Sequence, residues 1–252
     1  MPISVILFDL GGTLLHFEGI QAEVFARMEI VLADELLRLG YAIDPAGFAA
    51  EFSHLIQDAA LIGRQTWVEI PTFETLSCLL AKHGYPNPPE SELRAALRLY
   101  YAVSQSHWLL EEDARPLLQE LTRAGYRLAV ISNASDSEDV ITLLQRHQLL
   151  GYFDKVWISC DVGLCKPHPR VFSLAADFFQ TSPAEMLMIG DTLETDVAGA
   201  RNIGIHSLWI RRRANPRLES DTPEEFQPEY VLDTLAEIPS WLEITDFDCE
   251  AQ

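Results

Sequence analysis

The chain of 252 residues is short of cysteine, short of positive charge and free of long apolar runs. Its four cysteines, Cys78, Cys160, Cys165 and Cys249, form no CxxC pair and no zinc-ligand spacing. That pattern argues against a disulfide framework and a structural zinc site. Free thiols in a reducing cytosol are the expectation. Lysine and arginine number 18 against 38 aspartates and glutamates, a formal net charge of -20. A surface that acidic repels phosphate backbones and anionic bilayers, so neither a nucleic-acid nor a membrane partner is expected. No apolar run reaches the length of a bilayer span. The N-terminus, Met1-Pro2-Ile3-Ser4-Val5-Ile6-Leu7-Phe8-Asp9, lacks the basic and apolar regions of a signal peptide. A cytoplasmic monomer or homodimer is expected. An anionic substrate of such a chain needs a local positive site, because the overall field opposes its approach.

What is present is a core. The chain is 48% hydrophobic, enough for one large domain or two modest ones. Val5 to Phe8 reads as a buried strand that stops at the turn Asp9-Leu10-Gly11-Gly12-Thr13. Phe25, Met28, Leu32, Leu36 and Leu39 then recur at helical steps up to Gly40. Asp44-Pro45 opens a second helix, with Phe48, Phe52 and Leu55 on one face and Gly63 at its expected end. Helical patterns around Phe73 to Leu80 and Leu93 to Tyr101 follow. No strand signal appears between about Phe17 and His107, so this block reads as an all-helical insert.

From Pro116 helices and strands alternate. The strands read are Leu128 to Ile131, Val156 to Ser159, Met186 to Ile189, His206 to Ile210 and Tyr230 to Leu232. A helix at Pro116 to Arg123 leads into them, and between them lie one opened by a capping box of Ser135 and Glu138, one at Pro169 to Phe179, and one at Asp196 to Asn202. Arg211 to Pro228 reads as a loop. Such alternation predicts a parallel sheet with helices on both faces.

In sheets of this kind ligands bind beyond the carboxyl ends of the strands. Asp9, Ser132 and Asp191 all sit there. Lys166 lies in a strand-to-helix loop, and Asp196 follows Asp191 by five residues. The four segments Asp9-Leu10-Gly11-Gly12-Thr13, Ser132-Asn133, Lys166-Pro167 and Gly190-Asp191-Thr192-Leu193-Glu194-Thr195-Asp196 resemble the ordered motifs of the haloacid dehalogenase superfamily. The resemblance implies a Rossmann-like, doubly wound α/β core of residues 1–16 and 108–252, with an all-helical cap over 17–107. It further implies a magnesium-dependent phosphatase acting on a small-molecule phosphate ester. Asp9 would be the nucleophile. Asp9, the Gly11 carbonyl, Asp191 and Asp196 would serve the metal. Ser132, Asn133, Lys166 and the Gly12 backbone would bind the phosphoryl group. The chemistry explains these types: at about 4 Å and an effective dielectric near 20, a carboxylate meets each charge of a phosphate ester with roughly 4 kcal/mol of repulsion. A divalent cation on hard oxygen ligands and an ammonium group offset it.

One position departs from the pattern. Most phosphatases of that superfamily carry a second Asp two residues after the nucleophile, as general acid and base, and here Gly11 stands instead. His16 is a candidate substitute, against a plain surface histidine. The same departure leaves open a dehalogenase-type enzyme, against which Asp191 and Asp196 argue. It also leaves open a phosphonate-cleaving enzyme using Lys82, and a weakly active phosphate-binding module. Arg64, Gln65, Trp67, His107 and Trp108 are candidates for substrate contact, and the segments near Phe17 and His107 are candidate hinges.

Overall fold

The computed structural model describes residues 2–213 and 226–247. Cys249 and residues 214–225, most of the stretch read as a loop, lie outside them. The strands are β1 (Val5–Phe8), β2 (Leu15–Phe17), β3 (Trp108–Leu110), β4 (Arg127–Ser132), β5 (Lys155–Ile158), β6 (Met186–Gly190), β7 (His206–Ile210) and β8 (Tyr230–Leu232). Six of them form one sheet in the order β5-β4-β1-β6-β7-β8, every neighbouring pair parallel. The first strand is therefore central, with the chain winding outward on either side of it. Each strand read from the sequence is present within one residue of its expected bounds.

Alternation of side chains decides the layering. Ile6 and Phe8 face one side, where they pack with Val130, Ile189 and the helices α5 (Ala114–Arg123), α6 (Ser137–Arg146) and α10 (Ile238–Phe247). Val5 and Leu7 face the other, against Ile131, Met188 and the apolar side of α8 (Pro169–Phe179). All four β1 residues are fully buried, as a central strand covered on both faces requires.

Between β2 and β3 run α1 (Gln21–Arg38), α2 (Pro45–Thr66), α3 (Thr72–Lys82) and α4 (Glu90–Gln105). They enclose a core of their own, with Leu32, Leu36, Phe48, Phe52, Leu76 and Leu79 at its centre. The helical insert touches the sheet domain through main chain as well as side chain. Trp67 O accepts a hydrogen bond from Cys165 N at 2.8 Å, and Ser135 O accepts one from Thr72 N at 2.9 Å. Among the described residues no helix is long and apolar enough to cross a membrane.

Four local features differ from the sequence reading. β2 and β3 form an antiparallel ribbon at the base of the insert; at three residues each they are too short for a period-two signal. α2 runs through Gly63 to Thr66 and ends on Trp67, whose φ of 59° places it in the left-handed region. The helix after β4 is capped by Asp136, whose carboxylate accepts from Asp139 N. Ser135 is instead engaged by Thr72 Oγ1. Finally, Asp196 does not open a helix but sits inside a five-residue π-helical turn, Leu193–Val197, ahead of a short α-helix at Ala198–Arg201.

Candidate active site

β4, β1 and β6 are adjacent, so their carboxyl ends deliver Ser132, Asp9 and Asp191 to one edge of the sheet. Asp9 continues the ladder for one step, its N–H donating to Ile189 O at 2.9 Å. That bond fixes the direction in which its carboxylate leaves the sheet. Thr13 Oγ1 approaches Asp9 Oδ2 at 3.4 Å from the far side of the glycine turn.

Lys166 is brought in from the loop before α8 and is 3% exposed. Its Nζ donates to Asp9 Oδ1 at 2.6 Å and lies 2.7 Å from Asp196 Oδ1. The side chain of Asn133 holds this loop at both main-chain polar atoms of Lys166: Oδ1 accepts from Lys166 N at 2.7 Å, and Nδ2 donates to Lys166 O at 2.9 Å. Both ends of the Asn133 amide are thus occupied in placing the lysine. Gly12 likewise spends its N–H within the turn, on Leu15 O at 2.6 Å. Its φ is +88°, and a Cβ there would collide with the Asp191 carboxylate. What Gly12 supplies is room for Asp191.

Asp196 is almost fully buried and accepts from Thr192 N at 3.1 Å. Asp191 is steadied by Thr192 Oγ1 on its carboxylate and by Trp209 Nε1 on its carbonyl. One carboxylate oxygen each from Asp9, Asp191 and Asp196 lies within 4.8 Å of the others. Burial, reinforced by the Asp9 and Asp196 charges, pushes Asp191 up to about 7. Burial also pushes Asp196 up to about 6, against the Lys166 ammonium that pulls it down. Lys166 would be pushed down by its own burial, but the Asp196 and Asp9 charges overcome that and hold it above its ordinary range. When ionised, three carboxylates beside one ammonium leave two negative charges in excess. With hard oxygen donors, that is the complement of a small divalent cation.

The cavity over these groups is about 370 Å³ and is lined by Asp9, Gly11, Ser132, Lys166, Asp191 and Asp196, together with Trp108 and Asp139. A neighbouring cleft of about 620 Å³ shares Asn133 and Lys166 with it and reaches Arg64 and Trp67 on the insert.

The other candidates fall elsewhere. His16 Nδ1 lies 3.1 Å from Glu111 Oε1, and His16 does not line the cavity. Lys82 is exposed and ion-paired to Glu51 on the insert surface. Gln65 is exposed and lines neither opening. His107 binds Glu18 O through Nδ1 at 2.8 Å and stacks on Phe17, fastening the two chain segments that lead into and out of the insert. Trp108, a candidate for substrate contact, does line the cavity, and its packing against Gly11 is what sequence reasoning did not foresee. One ionisable cavity residue was missed. Asp139 reads as an ordinary first-turn helix acid and carries no signal that it faces a cavity.

Comparison with known proteins agrees with this architecture. The sequence profile of the haloacid dehalogenase-like hydrolases matches residues 3–204. A glyceraldehyde 3-phosphate phosphatase of Pyrococcus furiosus is 26% identical over 97% of this chain and 93% of its own. An N-acylneuraminate-9-phosphatase of Homo sapiens is 29% identical over 97% of this chain and 95% of its own. The crystal structure of a 2-haloacid dehalogenase from Pseudomonas syringae superposes with a TM-score of 0.70 at 20% identity, covering 96% of this chain and 98% of that one. This last likeness is one of fold.

Proposed function

The chain belongs to the haloacid dehalogenase-like hydrolases, and on that premise we propose that it is a magnesium-dependent phosphatase of small-molecule phosphate monoesters. The observation that carries this reading is the buried contact of Lys166 Nζ with Asp9 Oδ1 at 2.6 Å, beside two further carboxylates. An isolated carboxylate repels a phosphate ester; this one is flanked by a fixed cation and by a ligand set for a second. The Gly11 carbonyl, Asp9, Asp191 and Asp196 would hold the magnesium ion, which when bound neutralises charge on the phosphoryl oxygens. Asp9 attacks phosphorus and forms an aspartyl-phosphate, Lys166 stabilises the charge that gathers on the phosphoryl oxygens, and Ser132 donates a hydrogen bond to one of them. Water then hydrolyses the acyl phosphate. That both full-length relatives are named as phosphatases supports the choice of phosphate over halide.

In this reading residues 17–107 form the cap, and the cleft beside Arg64 and Trp67 receives the alcohol part of the substrate. The enzyme works in the cytoplasm, as a monomer or homodimer, without nucleic acid or membrane. The exposed, paired Lys82 gives no support to a Schiff-base phosphonate cleavage. The test is release of phosphate from p-nitrophenyl phosphate and a metabolite panel, with magnesium and with EDTA. Turnover that needs the metal and vanishes in Asp9→Asn is expected. A folded protein that releases no phosphate from any ester would leave a binding module in its place.

A further inference from the structure

Glycine at position 11 leaves phosphate-ester cleavage without a proton donor beside the nucleophile. The structure shows that the space beside it is already crowded. A Cβ on Gly11 would lie 3.1 Å from Trp108 Cη2 and 3.4 Å from Cζ3. With glycine at 11 and the indole packed over it, a donor in this chain has to come from another element. Five ionisable residues line the cavity: Asp9, Lys166, Asp191, Asp196 and Asp139. The first four are bound up in one cluster of charge. Asp139 stands outside it, and its carboxylate accepts a hydrogen bond from a neutral group, Gln105 Nε2, at 2.8 Å.

We propose that Asp139 is the proton donor and acceptor of the reaction. The proposal rests on the phosphatase reading above. In the first step an Asp9 oxygen bonds to phosphorus, the ester P–O bond breaks, and the Asp139 carboxyl proton passes to the departing oxygen, releasing the alcohol. In the second, water attacks phosphorus while its proton returns to the Asp139 carboxylate, and the bond to Asp9 breaks to give inorganic phosphate and the free Asp9 carboxylate. Asp139 ends as it began, protonated.

The surroundings suit that role. Burial pushes Asp139 up to about 7, against the Gln105 hydrogen bond, with the Asp136 charge adding to the rise. The first turn of α6 would by itself favour the ionised form; desolvation outweighs it. The arginines of the adjoining helices are engaged elsewhere. From α4, Arg94 pairs with Asp136 and Arg98 with Glu138, while Arg146 of α6 donates to Gln105 O. No ion pair to Asp139 is present among the described residues.

Two esters separate the possibilities, because an alkoxide leaves poorly without a proton and a nitrophenolate does not need one. Asp139→Asn keeps the size of the side chain and an acceptor for Gln105. In it, kcat/KM for the best alkyl phosphate of the panel should fall by about 10²–10⁴-fold, while that for p-nitrophenyl phosphate falls by less than about tenfold. With saturating magnesium, the wild-type alkyl rate should decline as pH rises through about 7, and the variant should lose that limb. A series of aryl phosphates on the wild-type protein gives a check free of any variant: rates should depend weakly on leaving-group acidity below that pH and steeply above it. Equal losses on both esters, no loss on either, one slope at every pH, or a wild type that turns over the nitrophenyl ester but no alkyl ester would each overturn the role of Asp139. A wild type inert towards every ester overturns the phosphatase reading instead, and this inference with it.

Discussion

Lys166 shows what one buried charge does for its neighbours. Removing it by Lys166→Met leaves the Asp9, Asp191 and Asp196 carboxylates in a cavity with no counter-charge. Loss of one partner from a buried ion pair is worth about 3–5 kcal/mol. We expect a loss of that order in urea unfolding, larger at alkaline than at acid pH because protonation relieves the orphaned carboxylates, together with loss of turnover. The same carboxylates set a pH dependence in the intact protein. Asp191 and Asp196 are raised to about 7 and about 6 from an ordinary 3.8. Between those values the native state keeps protons that the unfolded chain releases, so their contribution is complete below the unfolded value and is lost as pH rises through the folded ones. The melting midpoint of EDTA-treated protein should therefore fall between about pH 5 and pH 8, and fall less in Asp191→Asn. Magnesium should raise the midpoint more at the alkaline end, since its ligands must be ionised; at a hundredfold excess over Kd the gain is about 2.7 kcal/mol. A midpoint that rises with pH in EDTA would contradict this account.

At the scale of elements, the β2–β3 ribbon carries more of the site than its length suggests. It fixes Trp108 edge-on to Phe17 at 5.3 Å and against Gly11. Gly11→Asp should accordingly lower stability by about 1–3 kcal/mol, as overpacking does, without raising the turnover of alkyl esters. Gly11→Asp combined with Trp108→Ala should recover most of that loss. Calorimetry on the two variants checks it; equal stability of wild type and Gly11→Asp would mean that the indole moves aside freely. This ribbon was not legible in the sequence, because three residues give no period and its partner strand lies 90 residues away. β1, β4 and β6 were legible, since central strands covered on both faces are continuous apolar runs that end abruptly in polar turns. Asp9, Ser132 and Asp191 could be placed at the site for the same reason. The roles of Asn133 and Gly12 were not, because they depend on which backbone atoms a loop presents. Asp139 was hidden by its position: an acid in the first turn of a helix has an ordinary explanation, and only the third dimension shows the cavity it borders. Gly63 misled because a glycine at the end of an apolar stripe resembles a helix terminus, whereas α2 continues to Trp67.

The whole molecule carries a formal charge of -20, and the site must gather anions against it. Raising ionic strength shortens the reach of that field from about 30 Å at 0.01 M to about 8 Å at 0.15 M. We expect kcat/KM for a doubly charged phosphate ester to rise over this interval while kcat changes little. Stopped-flow or steady-state rates at constant magnesium measure it, and a fall would mean that the local cations dominate at long range as well. The helical insert has its own apolar core and meets the sheet domain at few main-chain points. One of these, Cys165 N–H to Trp67 O, lies a single residue ahead of Lys166. Were the insert to swing away from the sheet, as the phosphatase reading would have it do to free the product, that bond would have to break, and the strain would fall on the peptide adjoining the ammonium that faces Asp9. Shedding of phosphate and loosening of the Asp9 counter-charge would on that reading be coupled through one main-chain contact.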